Sequence, residues 1–206
     1  MDSLVKSLVP KNIKGKPTDL EYSVTLNTRE EAVETFKRAY KRLLNSRIWH
    51  KLAGFGSAEF VLKDEEGDDT HRLAGVGDYF QIDIPGPGPG AGDGYDWVQV
   101  EEIEDHTNPG AEEESFGMRV RSCKNPKKPE NTTAHFFTSD ATSTFIIERK
   151  GNTVSVSYHG RNEVLNTDSG KLKDRIRNAV VGAGAMAGIS EWQWSRLIKS
   201  FLEKEV

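Results

Sequence analysis

His159, Arg161 and Glu163 lie within one five-residue run, His159-Gly160-Arg161-Asn162-Glu163, which concentrates an acid-base group, a fixed cation, an amide and a carboxylate. A histidine activated by a carboxylate can abstract a proton while a guanidinium holds an anionic substrate through two parallel hydrogen bonds. The same run also reads as a capped turn, with Asn and Gly serving backbone geometry and Arg161 paired to an acid. The other histidines are His50, His71, His106 and His135, and no two are spaced like a helical metal pair. With a single cysteine, Cys123, neither a disulfide framework nor a cysteine-built zinc site is expected. No metal and no cofactor is therefore expected.

Two glycine-rich segments invite a nucleotide reading, and their context removes it. Pro85 to Gly94 reads PGPGPGAGDG, but Tyr95-Asp96-Trp97-Val98 follows as a strand, where a phosphate loop needs a helix N-terminus. It reads as a connection between strands, or as a lid over a cavity mouth offering the rings of Tyr95 or Trp97. Gly182, Gly184 and Gly188 follow a helical pattern where a dinucleotide fingerprint follows a strand. No serine sits in a GxSxG elbow.

Charge and composition narrow the partners. The chain has 206 residues, 29% of them charged, and a net charge of -4, which argues against broad nucleic-acid binding. Arg119, Arg121, Lys124, Lys127 and Lys128 form one basic stretch after the acidic runs 101–105 and 112–114. It reads as a solvated hairpin with opposite charges facing across strands. Apolar runs are only a few residues long, so no membrane insertion is expected, and the first residues lack a signal-peptide pattern. The expected location is cytoplasmic.

The elements that must position these residues are legible in outline. Residues 1–17, punctuated by Lys and Pro, read as a flexible arm, and 18–206 as a single domain. Leu20 to Leu26 alternates as a half-buried strand. Thr28 with Glu31 forms a capping box, and Val33, Phe36, Ala39, Tyr40, Leu43 and Leu44 give the following helix one apolar face. Arg47 to Ala53 reads as a short helix ending at Gly54. Strands are then expected at 58–63, 79–84, 97–104, 115–122, 133–138, 143–150 and 153–159, with Gly151-Asn152 making a tight hairpin. In the last of these, His159 shares a polar face with Thr153, Ser155 and Ser157, opposite Val154, Val156 and Tyr158. Leu172, Ile176, Ala179 and Val180 follow at helical spacing. Ser190 with Gln193 opens a final helix whose stripe is Trp194, Leu197, Ile198, Phe201 and Leu202.

This order over Leu20 to Val206 resembles the helix-grip fold of the START and Bet v 1-like superfamily. The resemblance implies an α+β fold: a curved antiparallel sheet of about seven or eight strands packed against an N-terminal helix and C-terminal helices. It also implies an apolar cavity for lipids, hormones or polyketides, faced by Trp194, Leu197, Ile198 and Phe201. A small SH3-like barrel around Gly77 to Cys123 with flanking helices is the alternative fold.

Three functional readings remain open. The first is a non-catalytic binding protein holding a small apolar or amphipathic ligand, with Tyr95, Trp97, His135, His159, Trp194 and Phe201 as ligand-binding residues. The second is a protein-interaction module or homo-oligomer using exposed aromatics and a sheet edge. The third is an acid-base enzyme acting on an anionic small molecule through His159, Arg161 and Glu163.

Overall fold

The computed structural model describes residues 2–54, 57–84, 90–166 and 191–204. Seven strands form one antiparallel sheet: β1 (Thr18–Thr25), β2 (Glu59–Lys63), β3 (Tyr79–Asp83), β4 (Asp96–His106), β5 (Glu113–Ser122), β6 (Thr142–Lys150) and β7 (Thr153–Arg161). Their spatial order is β1-β7-β6-β5-β4-β3-β2. The helices are α1 (Asp2–Leu8), α2 (Arg29–Leu44), α3 (Trp49–Ala53) and α4 (Glu191–Leu202). One strand, two helices, a six-strand meander and a closing helix constitute the α+β helix-grip arrangement. The SH3-like alternative is excluded, because β3, β4 and β5 are interior members of this single sheet.

Local signals account for the best-defined elements. Thr28 Oγ1 accepts the Glu31 backbone N–H at 3.2 Å, while Glu31 reaches back to the Asn27 N–H at 3.2 Å, closing the N-terminus of α2. The β6–β7 hairpin turns at Gly151, with φ 54°, where a side chain would be disfavoured. Along β7 the burial alternates, so that Val154, Val156 and Tyr158 face the core.

That inner face packs against α2, α3 and α4. Trp49 at the start of α3 is fully buried, its ring 5.1 Å from Phe60, 5.5 Å from Phe80, 5.4 Å from Phe145 and 6.1 Å from Phe201. The C-terminal end of α4 is tied to α2 by guanidinium donors, which satisfy carbonyls that a helix end leaves unpaired. Arg42 donates to Ser200 O at 2.7 Å and Glu203 O at 2.6 Å, and Arg38 to Leu202 O at 3.1 Å. At the α2 N-terminal end of the core, Arg149 and Glu114 form a fully buried pair at 2.6 Å. Arg149 also donates to the Ala111, Glu112 and Gly151 carbonyls, and Glu114 accepts the Asn108 N–H, so the pair is thoroughly hydrogen-bonded.

Two expectations are corrected. The stretch 133–138 is not a strand; β4 and β5 already have both neighbours, and its backbone groups bond instead to Trp97, Cys123 and Val164. The N-terminal residues are not a free arm. Leu4 and Leu8 of α1 bury against Ile146 on the outer face of the sheet, where Gly117 leaves them room: a Cβ there would lie 2.4 Å from Leu8 Cδ2. Beyond α1, Asn162 Oδ1 accepts the Ile13 N–H at 2.8 Å, and Lys14 pairs with Asp140. Two members of the basic stretch pair across strands as expected: Arg119 meets Glu101 at 3.0 Å and Glu102 at 2.7 Å across the β4–β5 ladder, and Arg121 also pairs with Glu101. Lys127 and Lys128 instead meet Asp68 and Asp93 in loops, and Lys124 donates to Pro129 O. The helix expected around Leu172 to Val180, the Gly182 to Gly188 segment and the Ser190 cap lie outside the described residues, as do positions 85–89 of the glycine-proline loop. Among the described residues no helix is long and apolar enough to cross a membrane.

Candidate functional site

A cavity of about 400 Å³ lies between the inner face of the sheet and α4. Its sheet-side wall is apolar, built from Ile82, Val98, Val120 and Phe145, which alternate inward along β3 to β6. Trp194 of α4 forms another wall, stacked on Tyr158 with ring centroids 4.6 Å apart and 5.4 Å from Phe145. The third side is the segment His135-Phe136-Phe137 together with Leu165. Three consecutive rings can all turn toward one space only because this segment is not a strand, where alternate side chains would point away.

His135 is anchored through Nδ1, which accepts the Phe137 backbone N–H at 3.0 Å and lies 3.1 Å from Ser122 Oγ. The neutral ring must then carry its proton on Nε2. Burial lowers the imidazole pKa to about 3, so this histidine stays uncharged at neutral pH.

Polar groups concentrate where Lys16 and Glu191 mark the exposed rim, with Lys16 Nζ 3.9 Å from Glu191. Tyr158 Oη lies 3.1 Å from Ser143 Oγ and donates to Glu163 Oε1 at 3.2 Å; Thr18 Oγ1 donates to Glu163 Oε2 at 3.2 Å. The Glu163 carboxylate rests over Gly160, where a Cβ would lie 2.5 Å from Oε1. Burial pushes the Glu163 carboxyl above its usual range, opposed by the Thr18 and Tyr158 hydrogen bonds and the Arg161 charge, and nearby Glu191 adds to the rise. Burial likewise raises the Tyr158 phenol, and it remains protonated.

The structure separates the acid-base trio. His159 and Arg161 lie on the outer face of β7, where both engage Asp19, His159 Nδ1 at 2.6 Å and Arg161 Nη2 at 2.6 Å. His159 Nε2 is 3.0 Å from Ser157 Oγ, and Arg161 also donates to Thr18 O at 3.1 Å. Glu163 is on the inner side, because β7 ends at Arg161 and Asn162, with φ 57°, redirects the chain. Of the expected ligand-binding residues, His135 and Trp194 line the cavity. Phe201 instead fills the core against Trp49. Trp97 points to the outer face, its Nε1 donating to Gly92 O at 3.3 Å and its ring 6.5 Å from Tyr79, and neither it nor Tyr95 borders the cavity. Burial, with Glu101 nearby, pushes the Cys123 thiol up to about 12, which disfavours the thiolate that a nucleophile needs. Among the described residues no group of three or more His, Cys, Asp or Glu could hold a metal ion.

Sequence reasoning missed Tyr158, Ser143, Thr18, Phe136 and Phe137. The signal for Tyr158 was present: a tyrosine on an otherwise apolar strand face needs a partner for its hydroxyl, and that partner marks a polar point inside the core.

No family model and no curated protein matches this sequence. Solved structures to which the chain is similar include a hypothetical protein from Helicobacter pylori, at 12% identity and TM-score 0.45, covering 89% of this chain and 86% of that one. Norcoclaurine synthase from Thalictrum flavum matches at 9% identity and TM-score 0.36, over 91% of this chain and 85% of its own. Ara h 8.0201 matches at 8% identity and TM-score 0.35, over 91% and 96%.

Proposed function

We propose that this chain is a non-catalytic binding protein that holds a small, largely apolar molecule in the cavity between its sheet and α4. The observation that carries the reading is the cavity itself. At about 400 Å³, walled by aromatic and aliphatic side chains with a few convergent polar groups, it falls in the range of small-molecule sites. A core that only stabilised the fold would close such a space, since protein interiors pack to crystal density. The separation of His159 and Arg161 from Glu163 by the sheet supports binding over acid-base catalysis by that trio.

The test is a titration with the neutral apolar fluorophore N-phenylnaphthylamine, alongside native mass spectrometry of the freshly purified protein. Saturable one-to-one binding is expected. Val120→Phe, whose ring would occupy the cavity, abolishes it, whereas Trp192→Ser, altering an exposed ring outside the cavity, leaves it unchanged. No saturable binding by the folded wild type, or binding indifferent to Val120→Phe, refutes the proposal.

A further inference from the structure

Resting on the cavity reading above, the geometry points to a ligand that is an amphipathic amine, its apolar body against Phe145 and Trp194 and its ammonium at Glu163. Three observations converge on this class.

The first is the lining's charge. Among the described residues the lining carries one lysine, Lys16, against two carboxyl groups, Glu163 and Glu191. Lys16 is exposed at the rim and lies beside Glu191. A ligand carboxylate would therefore meet Glu163 with no inward cation among the described residues to receive it, and like charges in a desolvated site are mutually destabilising.

The second is unused acceptor capacity. A carboxylate offers about four lone-pair sites, and Glu163 receives one hydrogen bond on each oxygen, from Tyr158 and Thr18. Among the described residues it has no ion-pair partner within 4.0 Å. The two hydroxyls orient the carboxylate without neutralising it. An ammonium would supply the charge, and would offset the burial that pushes the Glu163 carboxyl upward.

The third is the aromatic surface beside the carboxylate. Tyr158 and Trp194 stack with an interplanar angle of 17°, and the same tyrosine's hydroxyl is bound to Glu163. The facing π surfaces of the two rings cover each other, so the pair supplies apolar wall beside the carboxylate. A carboxylate with adjacent rings is thus matched to an alkylammonium attached to an apolar group. A neutral alcohol could use the acceptor but would gain nothing from the charge.

The experiment compares three probes of one shape, phenylbutylamine, phenylbutanol and phenylbutyrate, by calorimetry at neutral pH with wild type and Glu163→Gln. In wild type the amine should bind about tenfold or more tighter than the alcohol, the gain of a charge-assisted over a neutral contact, and the carboxylate weakest. Glu163→Gln keeps an acceptor for Tyr158 and should lose the amine preference, so that amine and alcohol bind this variant with similar affinity. Equal affinity for amine and alcohol in wild type, tighter binding of the carboxylate, or a preference that survives Glu163→Gln overturns the amine assignment while the cavity reading stands. Failure of all three probes overturns the amine assignment, and overturns the cavity reading too only when N-phenylnaphthylamine also fails to bind. Matching thermal unfolding of the variant and wild type shows that any loss belongs to the site.

Discussion

His135 allows a quantitative test of the cavity wall. In the unfolded chain its imidazole titrates near its ordinary value of about 6.5, but in the folded protein burial lowers it to about 3. Between these values the unfolded state binds more protons than the folded state, so stability rises with pH and is lost on acidification. At pH 5 the folded ring is still neutral while the unfolded ring is mostly charged. The resulting penalty, relative to neutral pH, is about 2 kcal/mol from the logarithm of the unfolded-state binding polynomial. Carboxylates impose their own pH dependence, so the measurement must be differential. His135→Asn is the suitable partner, because Asn Oδ1 can take the position from which Nδ1 accepts the Phe137 N–H at 3.0 Å, and it does not titrate. Urea unfolding of both proteins at pH 7 and pH 5 should show wild type losing about 2 kcal/mol more than the variant. Parallel losses would refute the reasoning, since they would mean that His135 either accepts a proton in place or is not sealed from water.

Three further outcomes are expected. Arg149→Met leaves the Glu114 carboxylate buried without its cation and should cost about 3–5 kcal/mol in chemical denaturation; the double change Arg149→Met with Glu114→Leu should recover a large part of it. Gly117→Ala places a Cβ 2.4 Å from Leu8 Cδ2, so α1 should lift from the sheet. Hydrogen exchange should accelerate in residues 4–9 while β5 and β6 stay protected. Cys123, its thiol pushed up to about 12, should react with a disulfide reagent at mildly alkaline pH about a hundredfold or more slowly in the folded protein than in urea. Comparable rates would show that the sulfur is accessible.

Elements with self-contained local chemistry were legible in the sequence, and those that depend on distant residues were not. The α2 start needs only Thr28 and Glu31, and the β6–β7 hairpin needs only Gly151 and alternating neighbours. By contrast, α1 is a seven-residue helix, too short to hold in isolation. It exists because Ile146 and the missing side chain of Gly117 accept Leu4 and Leu8. Thr133 to Thr138 has strand-like composition, yet pairing positions in a sheet are finite and β4 and β5 had already filled theirs.

The site shows the same division more sharply. Alternation along β7 correctly sorts its side chains into two faces, but alternation cannot say which face encloses a cavity. The polar set Thr153, Ser155, Ser157 and His159, which includes an expected ligand-binding residue, is the outer face; the polar group on the inner face is the hydroxyl of Tyr158. Had β7 continued, Glu163 would have shared the side of His159 and Arg161, and the acid-base constellation would have been geometrically allowed. One residue prevents it. Asn162, at φ 57°, ends the strand's two-residue period, returns the chain inward and sets the Glu163 carboxylate over Gly160, where no side chain obstructs it. What looked like three catalytic groups in one turn is instead one carboxylate delivered to the cavity and two side chains fastening β1 to β7 through Asp19. Asn162→Val, which favours extended backbone, should therefore weaken the proposed amine binding at Glu163 in calorimetry and, by removing the acceptor of the Ile13 and Lys14 N–H groups, speed hydrogen exchange in residues 11–14.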